Sequence, residues 1–168
     1  MKKIFLILIP VIILCTACIA GSSPAGTYYT YLTEDNIDLM RKAEYIRQLS
    51  PEQQEEYFKS LQNVYIRLNN DNTFLHHVPE PSSNNYENGV QKFIDLSGTY
   101  TVNDYTVSLT CNENDLQNYF DLLTSGGSHE DFTFEEIKRQ LRQTEYVIDN
   151  DYTTLSRKQS DEIYKKRP

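Results

Sequence analysis

Of the three cysteines in the sequence, Cys111 is the one outside the N-terminal segment, and its thiol is a candidate nucleophile. It would act as a nucleophile only if a neighbouring base or positive charge lowered the pKa of its thiol. Thr110 and Asn112 flank it, and alternation with Leu109 places it on the apolar face of a predicted strand. The sequence contains no G-x-S-x-G motif and no glycine-rich phosphate loop. We therefore predict a buried structural cysteine and no catalytic residues.

Histidines and clustered acids are the candidate metal ligands. His76 and His77 are adjacent, but successive side chains of a strand point to opposite faces, so the two cannot bind one ion together. His129 lies in a Gly/Ser-rich segment, far from any helical H-E-x-x-H pattern. Residues 70–72 and 149–151 resemble fragments of calcium loops, yet they lack the glycine and glutamate of an EF-hand. We predict turns at both segments, no metal site and no cofactor.

Cys18 is the one residue whose neighbours predict a covalent modification. Lys2 and Lys3 form a short positive segment, and residues 4–14 are an unbroken apolar run. Small residues at 16–17 stand directly before Cys18. A charged head, an apolar centre and small residues before the cut are typical of a cleaved export signal.

The segment resembles the lipobox of bacterial lipoproteins, although Cys15 stands where that family usually has leucine. The resemblance implies a signal peptide over 1–17 and fatty-acylation of Cys18, with palmitate for example. The chain would be exported and lipid-anchored to the cell membrane. Ile19, in place of the aspartate that retains such proteins at the inner membrane, implies the outer membrane if the cell is Gram-negative. An uncleaved anchor or plain secretion is the alternative, but the run contains Pro10 and falls short of the roughly 20 residues that span a bilayer.

The charge balance and the cysteine content limit the kinds of partner that this protein can have. The chain has 24 acidic and 16 basic residues, a net charge of −8, and loses two more positive charges if the leader is removed. Such a balance argues against nucleic acid, whose phosphates require basic surfaces. With Cys15 removed and Cys18 acylated, Cys111 has no partner, so we predict no internal disulfide. The predicted contacts are the membrane, through the lipid on Cys18, and an envelope protein.

The chain divides into a leader and one folded unit. Residues 18–26 are small and uncharged, which predicts a lipidated tether. Residues 27–156 are predicted to form a single α+β domain. Residues 157–168 are highly charged, and we predict a frayed or weakly helical tail.

Within that domain the apolar period alternates between 2, typical of strands, and 3.6, typical of helices. Helix starts are marked by the caps Thr33, Ser50, Asn112 and Thr133. Strands are predicted over 27–32, 64–68, 73–78, 90–96, 98–111 and 146–156, the last two segments each being a hairpin. In the 98–111 hairpin, a turn at Asn103-Asp104 pairs Tyr100 with Val107 and places the large apolar residues on one face.

These elements predict an α+β fold: one antiparallel meander of hairpins, a curved sheet or partial barrel, with two helical insertions packed on one face. Gly-Thr-Tyr at 26–28 and at 98–100, Thr73-Phe74 and the segment 107–110 resemble small lipocalin-like bacterial lipoproteins. The resemblance implies a strongly curved sheet and a ligand pocket. The helical insertion at 33–62 departs from a plain barrel.

Two functions are compatible with these features, and neither is enzymatic. The first is a membrane-anchored binding module that recognises an envelope protein with its Tyr- and Thr-rich sheet face. The second is a lipocalin-like carrier of a small apolar ligand. An envelope hydrolase lacks any supporting group of residues. We expect the helix stripes to fill the apolar face of the sheet and leave no room for a ligand; their residues are Leu39, Ile46, Phe58, Leu116, Phe120, Ile137 and Leu141.

Overall fold

Eight strands, formed mainly by the period-2 segments, make up the sheet. The computed structural model of the chain describes residues 23–81, 91–125 and 133–167, except for the Tyr45 side chain. The predictions for the leader, Cys18 and His129 lie outside these residues. The strands are β1 Gly26–Thr30, β2 Tyr65–Leu68, β3 Thr73–Pro79, β4 Phe93–Asn103, β5 Thr106–Cys111, β6 Gln143–Ile148, β7 Thr154–Arg157 and β8 Ile163–Lys166.

Each strand pairs antiparallel with the next, and β8 pairs with β1, so the sheet closes into an eight-stranded barrel. The predicted antiparallel meander is confirmed. The barrel is complete rather than partial.

Two helical insertions interrupt the meander, as predicted. The first joins β1 to β2 and the second joins β5 to β6. Thr33, Ser50 and Thr133 cap three of the helices, each in a reciprocal capping box with the residue three positions later. The helices are α1 Glu34–Arg41, the one-turn α2 Glu44–Arg47, α3 Pro51–Leu61, α4 Glu113–Ser125 and α5 Phe134–Leu141.

Both insertions lie at the same end of the barrel, because each follows a strand that runs toward that end. We call it the helix end. The opposite end, the turn end, carries the short connections at 69–72, 104–105 and 149–153. The first described residues, before β1, also lie at the turn end, where β8 finishes. There Lys166 Nζ donates hydrogen bonds to the carbonyls of Ser23 and Ala25, at 3.3 and 3.0 Å.

The interior of the turn half is filled by side chains. Two tyrosines there reach backbone acceptors: Tyr28 OH donates to the Pro24 carbonyl at 2.6 Å and Tyr100 OH to the Asn69 carbonyl at 2.8 Å. The remaining filling is aliphatic, from Ile66, Leu68, Val107, Ile148 and Leu155, all buried.

The 98–111 hairpin forms, but its register differs by two residues from the prediction. The turn is at Asp104-Tyr105, with Asp104 at φ 53°, and Tyr100 pairs with Leu109. A shift of two keeps the paired residues on their predicted faces, but Tyr105, predicted on the apolar face, lies exposed in the turn. The shift places Gly98 opposite Cys111, where a Cβ would lie 2.0 Å from the Thr110 carbonyl oxygen. Only glycine fits this close approach.

The prediction of a frayed or weakly helical tail over 157–168 is wrong. Ile163–Lys166 is β8, which closes the barrel between β1 and β7. Its Tyr164 side chain is buried in the interior. The strand contains only four residues, and adjacent lysines hide its alternation, so nothing local distinguishes it from a solvated tail.

The sequence also predicts one buried apolar helix face formed by Leu39, Ala43 and Ile46. This prediction is wrong for Leu39. Leu39 is 68% exposed, whereas Ile46 is fully buried. The helix ends at Arg41, and Ala43 has the extended ψ of 138°, which starts α2 in a new direction. Because α1 and α2 are separate helices, residues 39 and 46 do not share one helix face.

Candidate functional site

The helix half of the barrel contains a cavity of about 460 Å³. Ligand pockets in proteins fall between about 300 and 1,000 Å³. The helices contribute lining residues on one side, Met40, Leu61, Tyr119 and Leu141, without filling the space. The expectation that the helix stripes leave no room for a ligand is therefore wrong in this half of the barrel.

Most of the strand-derived lining is apolar. β3, β4 and β5 supply Phe74, Val78, Leu96, Leu109 and Cys111. All five are inward members of the period-2 alternation, so the same pattern that closes the core in the turn half lines the cavity in the helix half. A molecule in this space would contact mainly carbon atoms.

Several polar side chains also line the cavity. We call four of the uncharged ones the polar cluster: Thr30, His76, Tyr146 and Tyr164. The Tyr164 hydroxyl lies 3.3 Å from His76 Nε2 and 3.4 Å from a Glu162 carboxylate oxygen. The rings of Tyr146 and Tyr164 meet edge to face, with centroids 5.9 Å apart. β1, β3, β6 and β8 thus each contribute one member.

The polar cluster is uncharged at neutral pH. Burial, together with the positive charge of Arg157, lowers the pKa of His76 to about 3. Burial raises the pKa of both Tyr146 and Tyr164 above the ordinary tyrosine range. The cluster can therefore donate and accept hydrogen bonds without carrying charge.

Two hydroxyls of the cluster have no hydrogen-bond partner among the residues that the structure describes. They are Tyr146 OH and Thr30 Oγ1, both buried. The nearby Tyr164 hydroxyl lowers the pKa of Tyr146, against the larger effect of burial. The two hydroxyls nevertheless lie outside hydrogen-bond geometry. Leaving a buried hydroxyl unpaired costs on the order of 1–3 kcal/mol, so such groups usually meet water or a ligand.

Beside the cluster, the cation Arg157 is already paired. Its Nη1 donates to both carboxylate oxygens of Glu162, at 3.0 and 3.2 Å. Both residues line the cavity, as does Glu80. The pair leaves no uncompensated positive charge among the described lining residues.

Cys111 lies where the sequence predicts it, buried on the apolar face with 8% of its surface exposed. Burial, with the negative charge of Asp115, raises the pKa of its thiol to about 12. The group is thus a protonated thiol at neutral pH, and the interpretation as a structural cysteine is consistent with its surroundings.

The two adjacent histidines point to opposite faces, as predicted. His76 lines the cavity, whereas His77 points outward and its Nδ1 lies 2.7 Å from Asp95 Oδ1. Within residues 23–81, 91–125 and 133–167, no three His, Cys, Asp or Glu side chains are placed to hold a metal ion. In the segments 70–72 and 149–151, aspartates stabilise turns. The Asp71 carboxylate accepts a hydrogen bond from the Thr73 hydroxyl, and the Asp149 carboxylate accepts one from the Thr153 hydroxyl.

The outer surface carries a second group of residues, which we call the aromatic row: Tyr29, Tyr65, His77 and Phe93. The rings follow one another across β1 to β4, with successive centroids 5.7, 5.0 and 4.7 Å apart. Arg67 lies over the Tyr65 ring at 5.5 Å and Arg167 over the Tyr29 ring at 3.9 Å. The row belongs to the Tyr-rich sheet face that the sequence predicts as a binding surface.

Sequence reasoning missed the polar cluster. Tyr164 lay in the predicted tail, and Thr30 and Tyr146 are ordinary strand formers whose shared site depends on barrel closure. The tyrosine count, 13 in a chain without tryptophan, indicates rings that pack while their hydroxyls reach water, so it did not reveal the buried hydroxyl groups.

Comparison of the chain with protein-family models, curated proteins and solved structures found no match. Among the described helices, none combines the length and the apolar character needed to cross a bilayer.

Proposed function

We propose that this protein binds a small, mainly apolar molecule inside its barrel, as a lipocalin-like carrier. The observation that carries the proposal is the cavity of about 460 Å³ between the helices and the strands. Its largely apolar lining, with a few convergent polar groups, is typical of small-molecule sites. The eight-stranded barrel is also the size at which an interior holds one small ligand.

The test is displacement or uptake of a neutral fluorescent probe, N-phenylnaphthylamine, by the full chain in phospholipid nanodiscs, with empty nanodiscs as the blank. We expect saturable uptake by the protein. Leu96→Trp adds bulk to the cavity lining and should abolish uptake. Leu75→Trp makes the same change at an outward position of β3 and should leave uptake intact. Equal uptake by both variants would contradict the cavity as the site.

We further propose that a lipid on Cys18 holds the carrier at a membrane of the cell envelope. The lipobox-like leader supports this placement. Each buried methylene of an acyl chain contributes roughly 0.8 kcal/mol, so two or three chains hold the protein firmly. Cys18→Ala should abolish incorporation of labelled palmitate and leave the leader uncleaved. Palmitate incorporation by this variant would disprove the assignment.

A binding module for an envelope protein is the second candidate, favoured by the aromatic row. Rings flanked by arginines are the residue types that protein interfaces use most. A photo-crosslinking amino acid at Tyr65, inside the row, should capture one specific envelope protein in cells. The same probe at Val147, on the outer surface of β6, is the control. Identical products from the two positions would argue against the row as a docking surface.

A further inference from the structure

We propose that the ligand is an uncharged amphiphile whose hydroxyl or carbonyl head group hydrogen-bonds to Tyr146 and Thr30. Its apolar body would lie against Phe74, Leu96 and Leu109. This inference rests on the proposed function, since it identifies the chemical class of the molecule that the cavity takes.

The unpaired hydroxyls locate the head group. Tyr146 has 1% of its surface exposed, lines the cavity and has no partner for its hydroxyl. Thr30 also lines the cavity, and its Oγ1 atom is buried without a partner among the described residues, although the residue as a whole is only half-buried. A ligand atom that accepts or donates at both positions would remove the cost of leaving them unpaired.

The two hydroxyls belong to one site because Tyr164 connects them. Thr30 is the direct antiparallel partner of Tyr164 across β1 and β8. The Tyr146 ring contacts the Tyr164 ring from β6. The Tyr164 hydroxyl itself lies between His76 and Glu162 and is already engaged with them. Thr30 and Tyr146 therefore both adjoin the Tyr164 side chain, and the head group is placed there.

The charges around the cavity select against an ionised head group. A carboxylate would find no free cation among the described lining residues, because Arg157 already donates to both oxygens of Glu162. An ammonium would likewise find Glu162 paired with Arg157, and either ion would lose its hydration in an apolar space. The same surroundings keep His76 neutral. An uncharged hydrogen-bonding group avoids both costs.

Three probes with one chain length separate these possibilities: decan-1-ol, decanoate and decylammonium. Each is titrated against the bound naphthylamine probe at neutral pH, with the full chain in nanodiscs and empty nanodiscs as the blank. We expect the alcohol to bind about tenfold more tightly than either ion.

Variants then test the assigned groups. Tyr146→Phe removes an unpaired hydroxyl, so the protein without ligand should keep or slightly raise its melting temperature. Its affinity for decan-1-ol should fall about fivefold, as expected for one net hydrogen bond. Thr30→Val should have a similar effect. Tyr105→Phe makes the same change at an exposed turn and should alter neither quantity.

The outcomes are distinct. No probe uptake at all would overturn the proposed function and this inference with it. Probe uptake with equal or tighter binding of decanoate or decylammonium would overturn the head-group class alone. A decan-1-ol affinity unchanged in both Tyr146→Phe and Thr30→Val would overturn the placement of the head group.

Discussion

At the scale of single residues, His76 makes the stability of the fold depend on pH. Its pKa in the folded protein is lowered from 6.5 to about 3, so the unfolded chain binds the proton more readily. The stabilising contribution is complete above pH 6.5 and is lost as the pH falls from there toward 3. The expected loss is up to about 1.4 kcal/mol per pH unit in the free energy of unfolding.

Denaturant unfolding between pH 6.5 and pH 5 measures this loss before most carboxylates titrate. His76→Gln should flatten the dependence in that window. His77→Gln, at the outward position next in sequence, is the matched control and should retain it. An equally steep dependence in His76→Gln would show that another group is responsible.

Gly98 is the position where an added methyl group has no room. A Cβ there would approach the Thr110 carbonyl oxygen at 2.0 Å and the Phe74 ring at 2.8 Å. We expect Gly98→Ala to lower the free energy of unfolding by about 1–3 kcal/mol, because the backbone of β5 must shift. Denaturant midpoints measure the change. Thr99→Ala, at the adjacent exposed position, should cost far less, and equal losses would contradict the steric argument.

Local residue chemistry was predictable where the signal lies within a few positions. The capping boxes at Ser50 and Thr133 and the opposite directions of His76 and His77 follow from spacing alone. At Thr33 the sequence predicts the cap but not its reciprocal hydrogen bond with Asn36. The pairing of Thr30 with Tyr164 was not predictable, because 134 residues of chain separate them and only barrel closure brings them together. Candidate binding groups of this kind carry no local pattern.

At the scale of elements, β8 is essential although its sequence resembles a solvated tail. It pairs with β1 on one side and β7 on the other and contributes the buried Tyr164. Truncation after Arg157 should abolish cooperative unfolding, because β1 and β7 would lose their partner and the interior would open to water.

The measurement is denaturant unfolding followed by near-ultraviolet circular dichroism of the tyrosines. Truncation after Lys166 keeps the strand and should retain a single cooperative transition. A chain ending at Arg157 with an unchanged midpoint would show that the barrel does not need its last strand.

The sequence predicted the presence of the 98–111 hairpin correctly, but not which residues of its two strands pair. The apolar alternation fixes which face a side chain takes, and this was correct for the paired residues of 98–111 but not for Tyr105, which lies in the turn. A shift of two residues preserves that alternation, so pattern alone could not separate a turn at Asn103-Asp104 from one at Asp104-Tyr105. The close approach at Gly98, a tertiary feature, accompanies the observed register.

At the scale of the whole molecule, the route of the chain sets the orientation of the barrel on its proposed anchor. Gly26 begins β1 at the turn end, and residues 18–25 can reach at most about 3.5 Å each. The helix end and its cavity should therefore face away from the bilayer.

Fluorophores at single introduced cysteines, quenched by spin-labelled lipid head groups, measure this orientation in reconstituted protein. Tyr105→Cys at the turn end should be quenched more strongly than Leu39→Cys on α1. The native Cys111 is buried with a raised thiol pKa, so it should stay unlabelled. Stronger quenching at position 39 would reverse the orientation.

The α+β class and the antiparallel meander followed from periods and turns, but barrel closure and the cavity did not. Closure joins the first strand to the last, and the cavity is the space left when helix side chains line the barrel without filling it. Both depend on distances between elements that no stretch of sequence encodes by itself.

Closure also determines how other chains can associate with this one. Every described strand has a neighbour on both sides, so the sheet offers no row of free backbone donors and acceptors. A partner cannot extend the sheet by adding a strand, and two copies cannot join edge to edge. A complex built on the described wall of the barrel must rely on side chains, which makes its recognition sensitive to single substitutions there.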